Sequence, residues 1–283
     1  MVDLKELIAA GVHFGHQTWR WNPKMKPYIW GSKNGVHLID VSKTAFLLEK
    51  AARFLEEVAS SGKPILFVGT KKAARQPVAE IAQKFDIPFV THRWIGGTLT
   101  NYPQVKKSIT KLLHYEDILE KSDQHSYTKK ELGVFRKAVE RSLKNIGGIR
   151  KLSWPIGAVF VVDVKKEHTA IREAVAAGVP IVGIIDTNGD PSPVDYAIPA
   201  NDDISRSIEI IVNYLADAVA RGKAVAAMRP AESASAEGAE GALGREQGEK
   251  EGEEGRRRPN SRRRRPMRGG GRGNERPGRP GVR

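Results

Sequence analysis

The chain has no cysteine, which excludes disulfides, thiolate metal sites and cysteine nucleophiles and fits a reducing compartment. No apolar run approaches the roughly 20 residues that span a bilayer. The amino terminus, Met1-Val-Asp-Leu-Lys-Glu-Leu-Ile, is charged and amphipathic, unlike a secretory signal. The expectation is a soluble, cytoplasmic protein with no membrane among its partners. Two phosphate-cradling signatures are also missing: no Gly-x-Gly-x-x-Gly follows the first buried strand, and there is no Gly-x-x-x-x-Gly-Lys-Ser. Gly69-Thr-Lys-Lys72 is a short turn at a helix start, with room for one phosphate.

What the chain does carry is positive charge. Its 283 residues have a formal net charge of +14 and are 40% hydrophobic, enough for a real core. Residues 231–255 contribute −6 and residues 256–283 contribute +11, which leaves +9 on residues 1–230. A basic body favours a polyanion as partner.

The most informative stretch is 64–102. Ile65 to Val68 is an all-apolar run, the pattern of a strand buried on both faces. Lys71 to Phe85 follows as an amphipathic helix, and Ile87 to Thr91 as a second strand. The loop Arg93-Trp-Ile-Gly-Gly-Thr-Leu-Thr-Asn101 then leaves what would be the carboxyl edge of a parallel sheet, where α/β folds bind ligands. Upstream, Leu4 to Ala10 reads as a helix opened by Asp3 and Glu6. Residues 11–27 read as a loop, and Tyr28 to Asp40 as a hairpin turning on Asn34-Gly35. Ser42 is the expected cap of a helix from Thr44 to Ser60, with Phe46, Leu47, Ala51, Phe54, Leu55 and Val58 as its buried stripe. Downstream, strands at 156–162 and 179–185 flank a helix at 165–177, and a last helix spans 204–221, capped by Asn201 or Asp203.

Residues 104–146 differ. Two narrow apolar stripes, one through Val105, Ile109, Leu112 and Leu119 and one through Leu132, Phe135, Val139, Leu143 and Ile146, predict a coiled-coil helical hairpin inserted between strands. The fold class expected is α/β: a Rossmann- or flavodoxin-like, mostly parallel sheet flanked by helices, with that hairpin and a disordered carboxyl tail. The division expected is an α/β body (1–103 and 147–229), the hairpin (104–146), and an acidic then Arg/Gly/Pro-rich tail (230–283) too poor in apolar residues to fold.

Basic residues interleaved with aromatics mark the candidate RNA contacts, because they hold phosphates and stack on bases together. In the first loop these are Trp19, Arg20, Trp21, Lys24 and Lys26, and at the hairpin tip Lys33. The central unit adds Lys71, Lys72, Arg75, Arg93 and Trp94, and the helical insertion Lys106 and Lys107. Asp186, Asp202 and Asp203, with His168, are weaker candidates for a divalent cation, since turns and helix caps use the same carboxylates. His13 and His16 stand three apart but lack further ligands nearby in sequence. No cofactor and no catalytic residue is expected. Two other readings remain open: an enzyme acting on a phosphorylated small molecule through the Gly69 turn and these carboxylates, and an RNA chaperone driven by the Arg-rich tail.

Six segments together resemble a known family: Gly11-Val-His-Phe-Gly-His-Gln-Thr, Trp21-Asn-Pro-Lys-Met-Lys-Pro-Tyr-Ile, Ile65-Leu-Phe-Val-Gly-Thr-Lys-Lys, Arg93-Trp-Ile-Gly-Gly-Thr-Leu-Thr-Asn, Asp186-Thr-Asn-Gly-Asp-Pro and Ile198-Pro-Ala-Asn-Asp-Asp. They look like the bacterial small-subunit ribosomal protein S-two family, in collinear order over about residues 1–225. The resemblance implies a Rossmann-like body with a helical hairpin, no catalysis, and binding to small-subunit rRNA between head and body. It further implies neighbouring ribosomal proteins as partners, among them the mRNA-binding protein S-one, docked near the mRNA exit. The Arg-rich tail departs from the family pattern.

Overall fold

The computed structural model describes residues 3–121 and 127–228. The segment 230–283, expected to be disordered, lies outside the described residues. The first helix, α1 (Leu4–Ala9), starts at Asp3, whose carboxylate accepts from the Lys5 amide at 2.9 Å. Next come β1 (Phe14–Gln17), β2 (Ile29–Lys33) and β3 (Val36–Ile39), an antiparallel sheet in the order β1-β3-β2. Asn34 and Gly35 turn the β2–β3 hairpin with φ of 52° and 74°, as a type I′ turn requires. β1 falls in the stretch that reads as a loop. It is four residues long and its pairing with β3 is irregular, so no alternation announces it.

Helix α2 (Val41–Ser60) begins one turn earlier than its sequence suggests. Asp40, not Ser42, is the cap, accepting from the Ser42 and Lys43 amides. The buried face is also rotated from the predicted stripe: Leu48, Ala51, Ala52, Leu55 and Ala59 point inward, and Phe46 is 71% exposed. Small residues sit there because a second helix, α7 (Ser205–Met228), lies against α2 with its backbone close. A Cβ on Gly222 would stand 2.3 Å from the Glu56 carbonyl oxygen.

The main sheet consists of β4 (Ile65–Val68), β5 (Phe89–Val90), β6 (Ala158–Val162), β7 (Ile181–Ile185) and β8 (Tyr196–Pro199), all parallel, in the order β5-β4-β6-β7-β8. Counted among themselves the strands run 2-1-3-4-5, the flavodoxin-like order. Every residue of β4, β6 and β7 is buried, which is why these three read as continuous apolar runs. The strand pleat divides the core in two. Ile65, Phe67, Phe160 and Ile184 pack with α1, α2, α7 and α3 (Lys72–Lys84). Leu66, Val68, Val159 and Val161 pack on the other face with α6 (His168–Ala176), Trp94 and the helical insertion.

That insertion is a pair of helices, α4 (Tyr102–Glu120) and α5 (Lys129–Ile146), carrying the chain from β5 to β6. Pro103 sits in the first turn of α4, where its missing N–H costs nothing. Thr128 and Glu131 form a capping box at the start of α5. Val105, Ile109, Leu112, Val139 and Ile146 join the core beneath the sheet, and Tyr115 meets Phe135 with ring centroids 5.2 Å apart. Among the described residues no helix is long and apolar enough to cross a membrane.

Candidate functional site

In a doubly wound sheet the natural crevice opens where the strand order reverses, here between the carboxyl ends of β4 and β6. The turn after β4 presents Gly69, Thr70 and Lys71; the turn after β6 presents Asp163. Lys71 Nζ lies 2.6 Å from Asp202 Oδ1, 2.6 Å from Asp203 Oδ1 and 3.4 Å from Asp163 Oδ2. Burial works against its charge, but the hydrogen bonds to Asp202 and Asp203, together with the charges of Asp202 and Asp163, outweigh burial and raise its pKa above the ordinary lysine value. Glu167, at the start of α6, accepts from both the amide (3.1 Å) and the hydroxyl of Thr70. A carboxylate therefore fills the place that a phosphate would take at this turn.

β1 closes the same edge from outside. A Cβ on Gly15 would stand 2.6 Å from Thr187 Cγ2, so only glycine lets β1 come this near to the loop after β7. The His16 amide then donates to Thr187 Oγ1 at 2.9 Å. The imidazole sits between Asp186 (Nδ1 to Oδ2, 2.9 Å) and Asp203 (Nε2 to Oδ2, 3.4 Å). The hydrogen bond to Asp186 raises the His16 pKa against its partial burial, and the charges of Asp186, Asp202 and Asp203 add to the rise. One atom each from His16, Asp186, Asp202 and Asp203 lies within 4.8 Å of the others, a nitrogen-and-oxygen donor set of a kind that suits a divalent cation. His168 is not part of it: its side chain is exposed and Nδ1 faces the Lys166 carbonyl at 3.3 Å. The histidine that meets these carboxylates is His16.

The glycine-rich loop after β5 is built around one acid. Glu173 of α6 accepts from Trp94 Nε1 at 3.0 Å, from the Gly97 amide at 2.9 Å and from the Leu99 amide at 3.1 Å. Trp94 is consequently 9% exposed and is packed in the core; it has no free ring face to offer a nucleotide. Nothing in the local sequence marks Glu173, since its partners lie more than seventy residues away.

The remaining sequence-derived positions fall on the surface with different degrees of freedom. Lys24 is held by Asp190 at 2.8 Å and by Ser192, and that hydrogen bond draws the Asp190 pKa down to about 2. Arg75 donates from Nε to the Thr70 carbonyl at 2.9 Å and leaves the rest of its guanidinium outward. Trp21 is half-buried against His37, with ring centroids 5.3 Å apart. Trp19 is 72% exposed, with the Arg20 guanidinium 4.5 Å from its ring centroid. Lys26, Lys33, Lys72, Arg93, Lys106 and Lys107 are exposed, with no carboxylate partner among the described residues. Trp30, which sequence reasoning passed over, is 76% exposed on β2.

Comparison with known proteins finds relatives over most of the chain. The family described as Ribosomal protein S2 matches residues 7–222. A protein of Bdellovibrio bacteriovorus named small ribosomal subunit protein uS2 is 47% identical over 221 residues, covering 78% of this chain and 71% of the relative.

Proposed function

This chain belongs to the ribosomal protein S2 family, and from that premise we propose that it is a structural constituent of the small ribosomal subunit that grips small-subunit rRNA by its phosphates. Its place is then the ribosome in the cytoplasm, as a component of a ribonucleoprotein at work in translation. The observation that carries the rRNA reading is the contrast between two sets of charges. The acids at the sheet edge are consumed internally by Lys71, His16 and the Thr70 turn. The bases at Lys26, Lys33, Lys72, Arg93, Lys106 and Lys107 face outward without carboxylate partners among the described residues. Such bases release counterions from an RNA backbone and fix register without reading sequence. Trp19, stiffened by Arg20, supplies a ring for an exposed nucleotide. Lys71 and Trp94 support the site from inside, and Lys24 is engaged at the surface by Asp190; Trp21 and Arg75 share the two roles.

The same reading seats the protein between head and body, beside neighbouring ribosomal proteins, where it helps S-one dock near the mRNA exit. The experiment is sedimentation of a lysate through a sucrose gradient, following the full chain and a 1–230 truncation. Both should travel with the small subunit at moderate salt. In a binding assay with purified rRNA, replacing Lys26 and Lys33 together by Gln should flatten the salt slope by roughly one unit per lysine. Both chains staying at the top of the gradient would sink the proposal, and travel of the full chain alone would transfer rRNA binding to the tail.

A further inference from the structure

A cavity of about 530 Å³, which shares no lining residue with the His16, Asp186, Asp202 and Asp203 cluster, lies between α3, β5 and the carboxyl end of α5. Its charged lining is of one sign: Arg75 from α3, Lys144 from α5 and Arg150 just beyond it, with His92 following β5 and no Asp or Glu among the lining residues. Arg75 and Arg150 are each anchored on one side, to the Thr70 carbonyl and to Glu116. Lys144 has no partner among the described residues. The floor is backbone: a Cβ on Gly148 would stand 2.2 Å from the Phe89 carbonyl oxygen, so the turn after α5 lies flat on β5. Phe89 gives the cavity an aromatic wall, and the Gln83 amide gives it a group able both to donate and to accept hydrogen bonds.

We propose that this cavity receives one unpaired nucleotide of RNA, with the phosphate between Arg75 and Lys144 and the base against Phe89. The inference rests on the small-subunit reading above and names a contact within it. A cavity of this size suits a nucleotide unit, and a pocket that joins cations to an aromatic wall and an amide is the chemistry that recognises bases turned out of a stack. A free mononucleotide shares that chemistry. RNA is favoured because the charge does not stop at the rim: α5 carries six basic residues against two acidic ones, and Lys72 lies one turn from Arg75 on α3. A track of bases leading into the pocket serves a chain of phosphates, and a single phosphate has no use for it.

The test is irradiation at short ultraviolet wavelength of the full chain bound to small-subunit rRNA, followed by mass spectrometry of nucleotide adducts. An adduct is expected on the peptide holding Phe89 and His92. Lys144→Gln should remove that adduct, weaken rRNA binding several-fold and lower the salt slope by about one. Lys137→Gln, on the same helix but outside the cavity, should leave the adduct in place. Normal rRNA binding with adducts only elsewhere would overturn the pocket alone. So would saturation of the site by adenosine monophosphate without competition against rRNA, which would make a free mononucleotide the occupant. Failure of the unaltered chain to bind rRNA would overturn the small-subunit reading itself.

Discussion

Glu173 shows how much one side chain carries in this protein. It gathers three donors from a loop that contains two glycines and is otherwise held by a few turn hydrogen bonds. Glu173→Ala would leave the Trp94 indole and two amides without acceptors in a largely buried place. The expected cost is about 2–3 kcal/mol in urea unfolding, and Trp94 fluorescence should shift toward that of an exposed indole. Glu167 has a different, pH-dependent signature. Burial lifts its pKa above 4.5 despite the hydrogen bonds from Thr70, so the folded chain holds that proton more tightly than the unfolded one. The stability it contributes is complete below pH 4.5 and is lost as pH rises through the folded-state value. Glu167→Gln should remove this part of the pH dependence and leave stability at neutral pH no lower, as read by thermal melts across pH 4 to 8. At this scale the sequence was only partly legible. Lys33 and Lys107 lie exposed at the positions their local pattern suggested, because turns and helix faces are local. His16, Glu167 and Glu173 act on partners far along the chain, and local pattern carries no trace of them.

Elements were more legible than residues, and for the same reason. The 3.6-residue periodicity found α2 through α7, and the buried apolar runs found β4, β6 and β7. β1 and β8 were missed: each is four residues long, and each lies at an edge of its sheet, where half the face pattern that marks a strand is absent. The rotated face of α2 has a physical cause too. Bulk hydrophobicity pointed to Phe46, but the partner helix selects small residues so that backbones can approach. Gly222 is a point of close approach, where a Cβ would stand 2.3 Å from the Glu56 carbonyl oxygen. Gly222→Ala would gain up to about 1 kcal/mol of helix propensity, yet its Cβ would press on the Glu56 carbonyl, which cannot swing away as a side chain does. Overpacking of this kind costs about 1–3 kcal/mol. The expected outcome is a net loss of stability in urea titration, with the far-ultraviolet circular dichroism of the folded state unchanged.

In the whole molecule, charge and topology divide the work. The flavodoxin-like strand order creates a crevice, and the chain closes it with its own carboxylates and Lys71, while bases such as Lys26 and Lys33 take no part in the closure. That the fold was α/β followed from the sequence. That its ligand crevice was sealed did not, since the sealing joins β1, β4, β6 and the start of α7 across most of the chain.

The insertion between β5 and β6 has a consequence for how the chain is made. β4 pairs with β6 from Ile65↔Ala158 to Val68↔Val161, and everything from α3 to the end of α5 must emerge between these two strands. During synthesis from the amino end, β4 gains β5 on one side while its other edge waits, apolar and unpaired, the kind of edge that recruits wrong partners. The helical hairpin arrives within that interval, and its contacts are local, hence fast. Val105, Ile109 and Ile146 then cover the Leu66 and Val68 side of β4. Pulse-labelling hydrogen exchange should find α4 and α5 protected before β4 and β6; strands protected first would refute this order. The helical insertion would then have served, moments before the sheet was complete, as the chaperone of its own strands.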